Sequence, residues 1–146
     1  MDVATLFEQM PFAQHVGIEM TAAEDGHAAG HIALGDEHTS SPDNSVAHGG
    51  VAYTLADTVG GAAVISRAGK PTPTIDMRID YLAPGDGDRL EATADLVRFG
   101  SSVAVADVTV TDGEGRQIAE ARGVYKTGGG EDGNAWRDGD GIPYDG

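Results

Sequence analysis

The chain has 146 residues, no cysteine and a formal net charge of −15, from nine basic and 24 acidic side chains. This length suits one domain with its own core, and the lack of cysteine excludes disulfides, thiolate metal sites and a cysteine nucleophile. The acidity disfavours nucleic-acid binding, which needs basic patches. It is typical of proteins from a salt-rich cytoplasm, where ions screen the repulsion between acids; the alternative is an ordinary acidic protein. With neither a secretory signal nor a long apolar stretch, a cytoplasmic location without membrane binding is expected.

The N-terminal third predicts a short helix followed by a hairpin. Asp2 is a suitable N-cap for a helix over residues 3–10, which Pro11 is expected to end. Residues 17–23 and 27–34 then read as two strands joined by an Asp-Gly turn. The polar residues 35–46 are interpreted as a loop that approaches a functional site.

The longest predicted helix covers residues 49–68. One stripe of it is apolar and should bury against a sheet, and consists of Val51, Leu55, Val59 and Ala62. Asp57 points away from this stripe, about 200° around the helix from Leu55. Its neighbours on that side are small: Gly50, Thr54, Gly60 and Gly61. We interpret this small-residue face as the contact with a partner subunit, with a narrow slot above the carboxylate.

A period of two replaces the helical period after residue 73. It predicts strands at residues 74–81, 90–96, 103–110 and 117–126. In the first of these, alternate residues are expected to face inward, namely Ile75, Met77, Ile79 and Tyr81. A change of phase at Ala106 and Asp107 predicts a β-bulge.

The predicted architecture is α+β, with one long helix wrapped by an antiparallel sheet of about six strands over residues 1–127. Residues 128–146 are acidic and rich in glycine, and are predicted to form a disordered tail. Free sheet edges need cover. We therefore expect a homodimer through paired strands, further pairing of dimers into a homotetramer, and a site between subunits.

The most informative stretch is residues 47–57, a His-Gly-Gly turn that leads into the helix. Such a start leaves N–H groups unpaired at the positive end of the helix dipole, where an oxyanion can be held. Asp57 is the only charged side chain between Asp43 and Arg67. We expect the helix-start amide and this acid to lie beside each other at one carbonyl group, which indicates acyl-transfer chemistry. The alternative interpretation is a solvated aspartate and a capping histidine, His48.

Residues 47–63 resemble the signature helix of hotdog-fold acyl-CoA thioesterases of the phenylacetate-pathway (PaaI-like) type, with an acid nine positions after the histidine. Residues 73–82 resemble the strand that follows that helix, and the whole resemblance spans roughly residues 5–127. It implies the hotdog fold, with Asp57 as general base or nucleophile and Gly49 as N–H donor to the thioester carbonyl. His48 would shape the turn. Thr74 would bring a hydroxyl to the site from the neighbouring subunit.

One position departs from the family pattern. The family usually has an asparagine six residues before the histidine, where this chain has Pro42. Asn44 lies four residues before the histidine and is the remaining candidate. Its amide would need a different path to reach the site.

The resemblance implies no separate cofactor, because coenzyme A is part of the substrate, and no metal is predicted from the dispersed histidines. The coenzyme A phosphates need a local positive site, so the scarce cations are informative. Arg98, Ser101 and Ser102 lie in one predicted turn and are the first candidates. Arg67 and Lys70, near the helix end, are the second.

These features together predict hydrolysis of an acyl-CoA thioester to a free carboxylic acid and coenzyme A. Two alternatives remain open: an acyl-CoA hydratase or dehydratase of the same fold, and a non-catalytic acyl-CoA-binding protein. The nature of the acyl group cannot be read from the sequence.

Overall fold

The computed structural model describes residues 2–128, which form one long helix and a single antiparallel sheet of six strands. The sheet order is β1-β2-β4-β5-β6-β3. The elements in chain order are α1 (Val3–Glu8), α2 (Pro11–Val16), β1 (Ile18–Glu24), β2 (His27–Ala33), a 3₁₀ helix (Asp36–His38), α3 (Gly49–Ala68), β3 (Thr74–Tyr81), β4 (Arg89–Phe99), β5 (Val103–Asp112) and β6 (Gln117–Lys126). The predicted α+β architecture is confirmed. The tail prediction for residues 128–146 lies outside the described residues except at Gly128, whose N–H donates to the Ser102 carbonyl at 3.1 Å.

Helix α3 packs its apolar stripe on the sheet and has the bounds that the sequence predicts. His48 caps its start, and Gly69 ends it in the left-handed conformation, with φ of 68°. Three residues of the stripe are fully buried, namely Leu55, Val59 and Ala62, and the fourth, Val51, is half-buried. This packing fixes the rotation of the helix, so that Asp57 is held on its other side.

The two glycines in the middle of α3 make room for a tyrosine of the same chain. A Cβ at Gly61 would lie 3.5 Å from Cε1 of Tyr125, and one at Gly60 would overlap the Tyr125 hydroxyl. That hydroxyl donates to the Asp57 backbone carbonyl at 3.0 Å. Burial, and then the negative charge of Asp57, raise the pKa of Tyr125 well above its ordinary value. The interpretation of Gly60 and Gly61 as part of a subunit contact is therefore wrong.

Pro11 begins a second helix, which the sequence analysis missed. Helix α1 ends at Glu8, and Pro11 is the first residue of α2. Proline suits this position because the first helical N–H has no partner within the helix and the fixed φ is already helical. Reading Pro11 only as a helix end was incomplete.

The predicted bulge at Ala106 and Asp107 is wrong for β5 itself, because both residues pair with β6 in continuous register, opposite Gly123 and Arg122 respectively. A register shift does occur in the neighbouring strand β4, between Leu96 and Arg98, opposite Ala106 and Val105. Strand β5 buries one unbroken alternate series: Ala104, Ala106, Val108, Val110 and Asp112. The apparent change of phase arose because Val103 and Val105, on the half-buried face, were assigned to the core.

Strand β3 is an edge of the sheet and carries exposed apolar side chains. Met77 is buried, whereas Ile75 is 50% exposed, so the expectation that Ile75 faces inward is wrong. Tyr81 is 52% exposed, but its side chain lies on the helix side of the sheet, against Gly49. The register with β6 shifts between Thr74 and Asp76, which turns Ile75 outward. Leu82, just beyond the strand, is 56% exposed. An apolar free edge of this kind is usually covered in the native assembly.

Candidate functional site

The start of α3 presents one backbone N–H that has no partner within residues 2–128. The Nδ1 atom of His48 accepts the Gly50 N–H at 2.8 Å. The N–H of His48 donates to the His38 carbonyl at 2.8 Å. Between these two satisfied groups lies the Gly49 N–H, at the positive end of a helix of 20 residues. This N–H is therefore placed to donate to an anionic or polarised oxygen.

Tyr81 holds the same turn from the other side, and the sequence analysis did not include it among the site residues. Its hydroxyl donates to the Gly49 carbonyl at 2.6 Å. A Cβ at Gly49 would lie 3.2 Å from the Tyr81 ring, so the ring packs directly on the glycine. The signal in the sequence was the position of Tyr81 inside the segment 73–82 that carries the family resemblance.

Asp57 is half-buried on the opposite face of α3 from the core. The Thr74 hydroxyl donates to its Oδ1 atom at 2.7 Å. The Tyr125 hydroxyl, which donates to the Asp57 backbone carbonyl, is a second neighbour of this carboxylate. The expectation that Thr74 comes from a neighbouring subunit is wrong for this contact, because β3 starts directly beside α3 in the same chain. The Thr74 hydroxyl thus fixes the orientation of the Asp57 carboxylate.

Asp57 and Gly49 of the same chain cannot both contact the carbonyl group of one substrate. Asp57 follows Gly49 by eight residues in one helix. At 1.5 Å of rise per residue, they are about 12 Å apart along the axis. The expectation that they lie beside each other in one helix is therefore wrong, since the helix itself separates them.

Asn44 lies exposed in the loop before α3. Its side-chain oxygen accepts the Val46 N–H at 3.0 Å, which makes a local turn. The structure does not bring it to Asp57 or to the Gly49 N–H of its own chain. The replacement of asparagine by Pro42 thus leaves Asn44 engaged in the loop.

The predicted phosphate-binding residues lie at the opposite end of α3 from Gly49. Arg98 is the residue before the last of β4, and Ser101 and Ser102 are exposed in the turn to β5. The Arg67 guanidinium stacks over the neighbouring Phe99 ring at 5.4 Å. Within residues 2–128, Arg67 and Arg98 form no ion pair with a carboxylate, whereas each of the other described arginines does: Arg78, Arg89, Arg116 and Arg122.

An apolar groove of about 420 Å³ opens beside Gly49. Its floor contains the fully buried Leu90 and Ile118, and Tyr81 and Leu82 form part of its rim. Across residues 2–128, no cluster of three or more histidines and acids is arranged to hold a metal ion. In that same part of the chain, no helix is long and apolar enough to span a membrane.

The long helix packed on one antiparallel sheet of six strands is the hotdog fold, and the free amide and the hydroxyl-bound acid of the site both lie on that helix. The sequence model described as "Thioesterase superfamily" matches residues 44–119, which include α3 and β3. The chain belongs to the thioesterase superfamily.

Three comparisons are informative about the relatives within that family. A putative esterase of Halobacterium salinarum is 38% identical, over 76% of this chain and 80% of that protein. The medium/long-chain acyl-CoA thioesterase YigI of Escherichia coli is 32% identical, over 82% of this chain and 86% of that protein. The structure of the Escherichia coli PaaI protein from the phenylacetic acid degradation operon superposes with a TM-score of 0.78 at 27% identity, covering 86% and 90% of the two chains.

Proposed function

We propose that the protein hydrolyses acyl-CoA thioesters to a carboxylic acid and coenzyme A. The observation that carries this proposal is the pair of prepared groups on α3, the Gly49 N–H without a partner and the Asp57 carboxylate held by Thr74. Family membership and the relationship to an acyl-CoA thioesterase support the substrate class.

The complete site requires two subunits. In each chain, the two ends of β3 contact the two functional groups of α3. Thr74, at the start of β3, binds Asp57, and Tyr81, at its end, binds Gly49. An antiparallel pairing of two β3 edges, centred between Met77 and Arg78, sets Thr74 opposite the partner's Tyr81. A symmetric dimer of this kind brings Asp57 of one subunit toward the Gly49 amide of the other and covers the exposed apolar edge. Two such sites result, and pairing of dimers into a tetramer remains compatible with them.

The chemistry follows from the charges in this composite site. The thioester oxygen accepts the Gly49 N–H, which stabilises the negative charge that develops in the transition state. Asp57 either deprotonates a water molecule, which adds to the carbonyl and expels the coenzyme A thiolate, or attacks the carbonyl itself and expels that thiolate to give a transient anhydride. Water then hydrolyses the anhydride to the free carboxylic acid and restores Asp57. The Thr74 hydroxyl binds Oδ1 and so fixes the orientation of the Asp57 carboxylate at the reacting atom. His48 keeps its Nδ1 bonded to the Gly50 N–H and thereby shapes the turn.

The two ends of the substrate have different surroundings. The groove beside Gly49 is apolar and suits the acyl chain, in line with a relative named for medium and long chains. Arg98, Ser101 and Ser102, with Arg67 nearby, are proposed to hold the phosphates of coenzyme A, because Arg67 and Arg98 are not neutralised by a carboxylate within residues 2–128. Asn44 has no part in this site, because its side chain is engaged in the local turn with Val46.

We further infer that the protein works at high salt concentration. The net charge of −15 and the relationship to a Halobacterium salinarum protein support this inference. At about 1 M salt the Debye length falls to roughly 3 Å, which removes most of the repulsion between surface acids. Assays therefore belong in molar potassium chloride.

The proposed function is tested by release of free thiol from short, long and aryl acyl-CoA substrates in molar potassium chloride. Wild-type protein should turn over at least one of them, and Asp57→Asn should lose turnover while its thermal unfolding and assembly stay unchanged. Retention of more than about a tenth of kcat, a barrier change of roughly 1.4 kcal/mol or less, contradicts the role of Asp57. Loss of enoyl-CoA absorbance would instead indicate a hydratase, and acyl-CoA binding without thiol release a non-catalytic protein.

A further inference from the structure

Hydrogen bonds from neighbouring side chains hold the flexible backbone around Gly49. Glycine has no side chain to limit its φ and ψ angles, so an amide at a glycine points in a fixed direction only when neighbouring groups hold it. The Gly49 N–H belongs to the peptide group between His48 and Gly49, whose carbonyl oxygen accepts the Val51 N–H at 2.9 Å. The next peptide group, between Gly49 and Gly50, is fixed at both of its polar atoms. Its carbonyl oxygen accepts the Tyr81 hydroxyl at 2.6 Å, and its N–H donates to His48 Nδ1 at 2.8 Å.

Tyr81 is itself anchored from the sheet. The backbone N–H groups of Leu82 and Ala83 donate to the Ile118 carbonyl at 2.8 Å and 3.2 Å, which fixes the chain directly after Tyr81. The N–H of Ala47 donates to the Gly85 carbonyl at 2.7 Å, so the loop before α3 is tied to the same segment. The distance between the Tyr81 hydroxyl and Gly49 is therefore set by the sheet.

The Tyr81 hydroxyl keeps its proton at neutral pH and can donate it. Partial desolvation, and then the neighbouring Tyr53, raise the pKa of Tyr81 above its ordinary value. The ring also packs against Gly49, with its Cζ atom 3.2 Å from the place that a Cβ would occupy. Both contacts act on Gly49, whose N–H has no partner within residues 2–128.

We propose that Tyr81 is a positioning residue for the thioesterase reaction, which aims the Gly49 N–H at the substrate by holding the Gly49 carbonyl. This inference rests on the proposed function. The Tyr81 hydroxyl makes no contact with the reacting atoms, and it acts on the reaction through Gly49. The same residue lies on the exposed β3 edge, so it also connects the proposed subunit contact to the oxyanion donor.

The test uses Tyr81→Phe in the full chain, because this variant keeps the ring and removes only the hydroxyl. We expect kcat to fall about threefold to tenfold, the range of one ordinary hydrogen bond, while KM stays within about twofold. Tyr53→Phe is the matched control. Its hydroxyl also donates to a backbone carbonyl, that of Met77 at 3.3 Å, but does not contact Gly49.

A double-mutant cycle separates positioning from a general structural role. Once Gly49→Pro has removed the N–H, Tyr81→Phe should cause no further loss of kcat. Independent, multiplied losses overturn the proposal, as does an unchanged kcat in the single variant or an equal loss in Tyr53→Phe. Failure of the function itself has a different signature, because wild-type protein would then release no thiol from any substrate; this result overturns both.

Discussion

The Gly49 N–H is the proposed oxyanion donor of the hydrolysis, and Gly49→Pro removes this N–H selectively. Gly49 is the first residue of α3, a position where proline is favoured. The preceding residue, His48, has φ of −56° and ψ of 138°, the extended conformation that a residue before proline adopts. Since this N–H has no partner within residues 2–128, the substitution breaks no described hydrogen bond.

The expected loss is large because this amide is a transition-state donor. Removing one oxyanion donor typically lowers kcat by about 10²–10³, or roughly 2.7–4 kcal/mol. Gly49→Ala is the control, since it adds the same Cβ toward the Tyr81 ring, at 3.2 Å, but keeps the N–H. We expect the alanine variant to stay within about tenfold of wild type, because only a shift of the ring is needed, and the proline variant to be about a hundredfold slower still.

The assay is thiol release in molar potassium chloride, with circular dichroism and thermal unfolding to verify that α3 is intact. The ratio of the two variants' kcat values isolates the N–H from steric effects. A ratio below about ten in correctly folded proteins would refute the assignment of the Gly49 amide as the oxyanion donor.

Three further outcomes are expected. Thr74→Ala should lower kcat about tenfold because the Asp57 carboxylate loses the hydrogen bond that orients it, and Thr74→Ser should restore kcat. Equal steady-state activity of wild type and both variants would exclude a role for the hydroxyl. In denaturant titrations, Gly60→Ala should reduce the free energy of unfolding by about 1–3 kcal/mol, because its Cβ collides with Tyr125. Gly61→Ala should be neutral or stabilising, because its Cβ lies at an ordinary 3.5 Å from the Tyr125 ring. The midpoint of thermal unfolding should rise as potassium chloride increases from about 0.1 M to 1 M, and a flat or falling midpoint contradicts the salt inference.

Local periodicity explains why most of the fold could be predicted from the sequence. The bounds of α3 follow from a capping histidine, an apolar stripe and Gly69, all of which are local signals. The six strands follow from alternation and from glycine-rich turns. The errors in the strands came from alternation as well, since Val105 and Ala106 are both apolar and only the packed sheet shows which of them faces the core.

The site was predicted in part, because its residue types are local but its contacts are not. His48, Gly49 and Asp57 stand out within one short stretch. The contact of Tyr81 with Gly49 joins residues 32 positions apart, and that of Tyr125 with Asp57 joins residues 68 positions apart. No local pattern encodes such distances. The separation of Gly49 from Asp57, in contrast, follows from helical rise alone, and it is the feature that calls for a second subunit.

Complementation between two inactive variants tests the composite site most directly. Gly49→Pro and Asp57→Asn are prepared separately, then unfolded, mixed in equal amounts and refolded together. In a mixed dimer, one site combines both defects and the other joins an intact Gly49 to an intact Asp57. Random pairing makes half of the dimers mixed, so the account predicts recovery of about a quarter of wild-type kcat per subunit. A refolded mixture as inactive as its two parents, in the presence of demonstrated mixed dimers, would contradict a site shared between subunits.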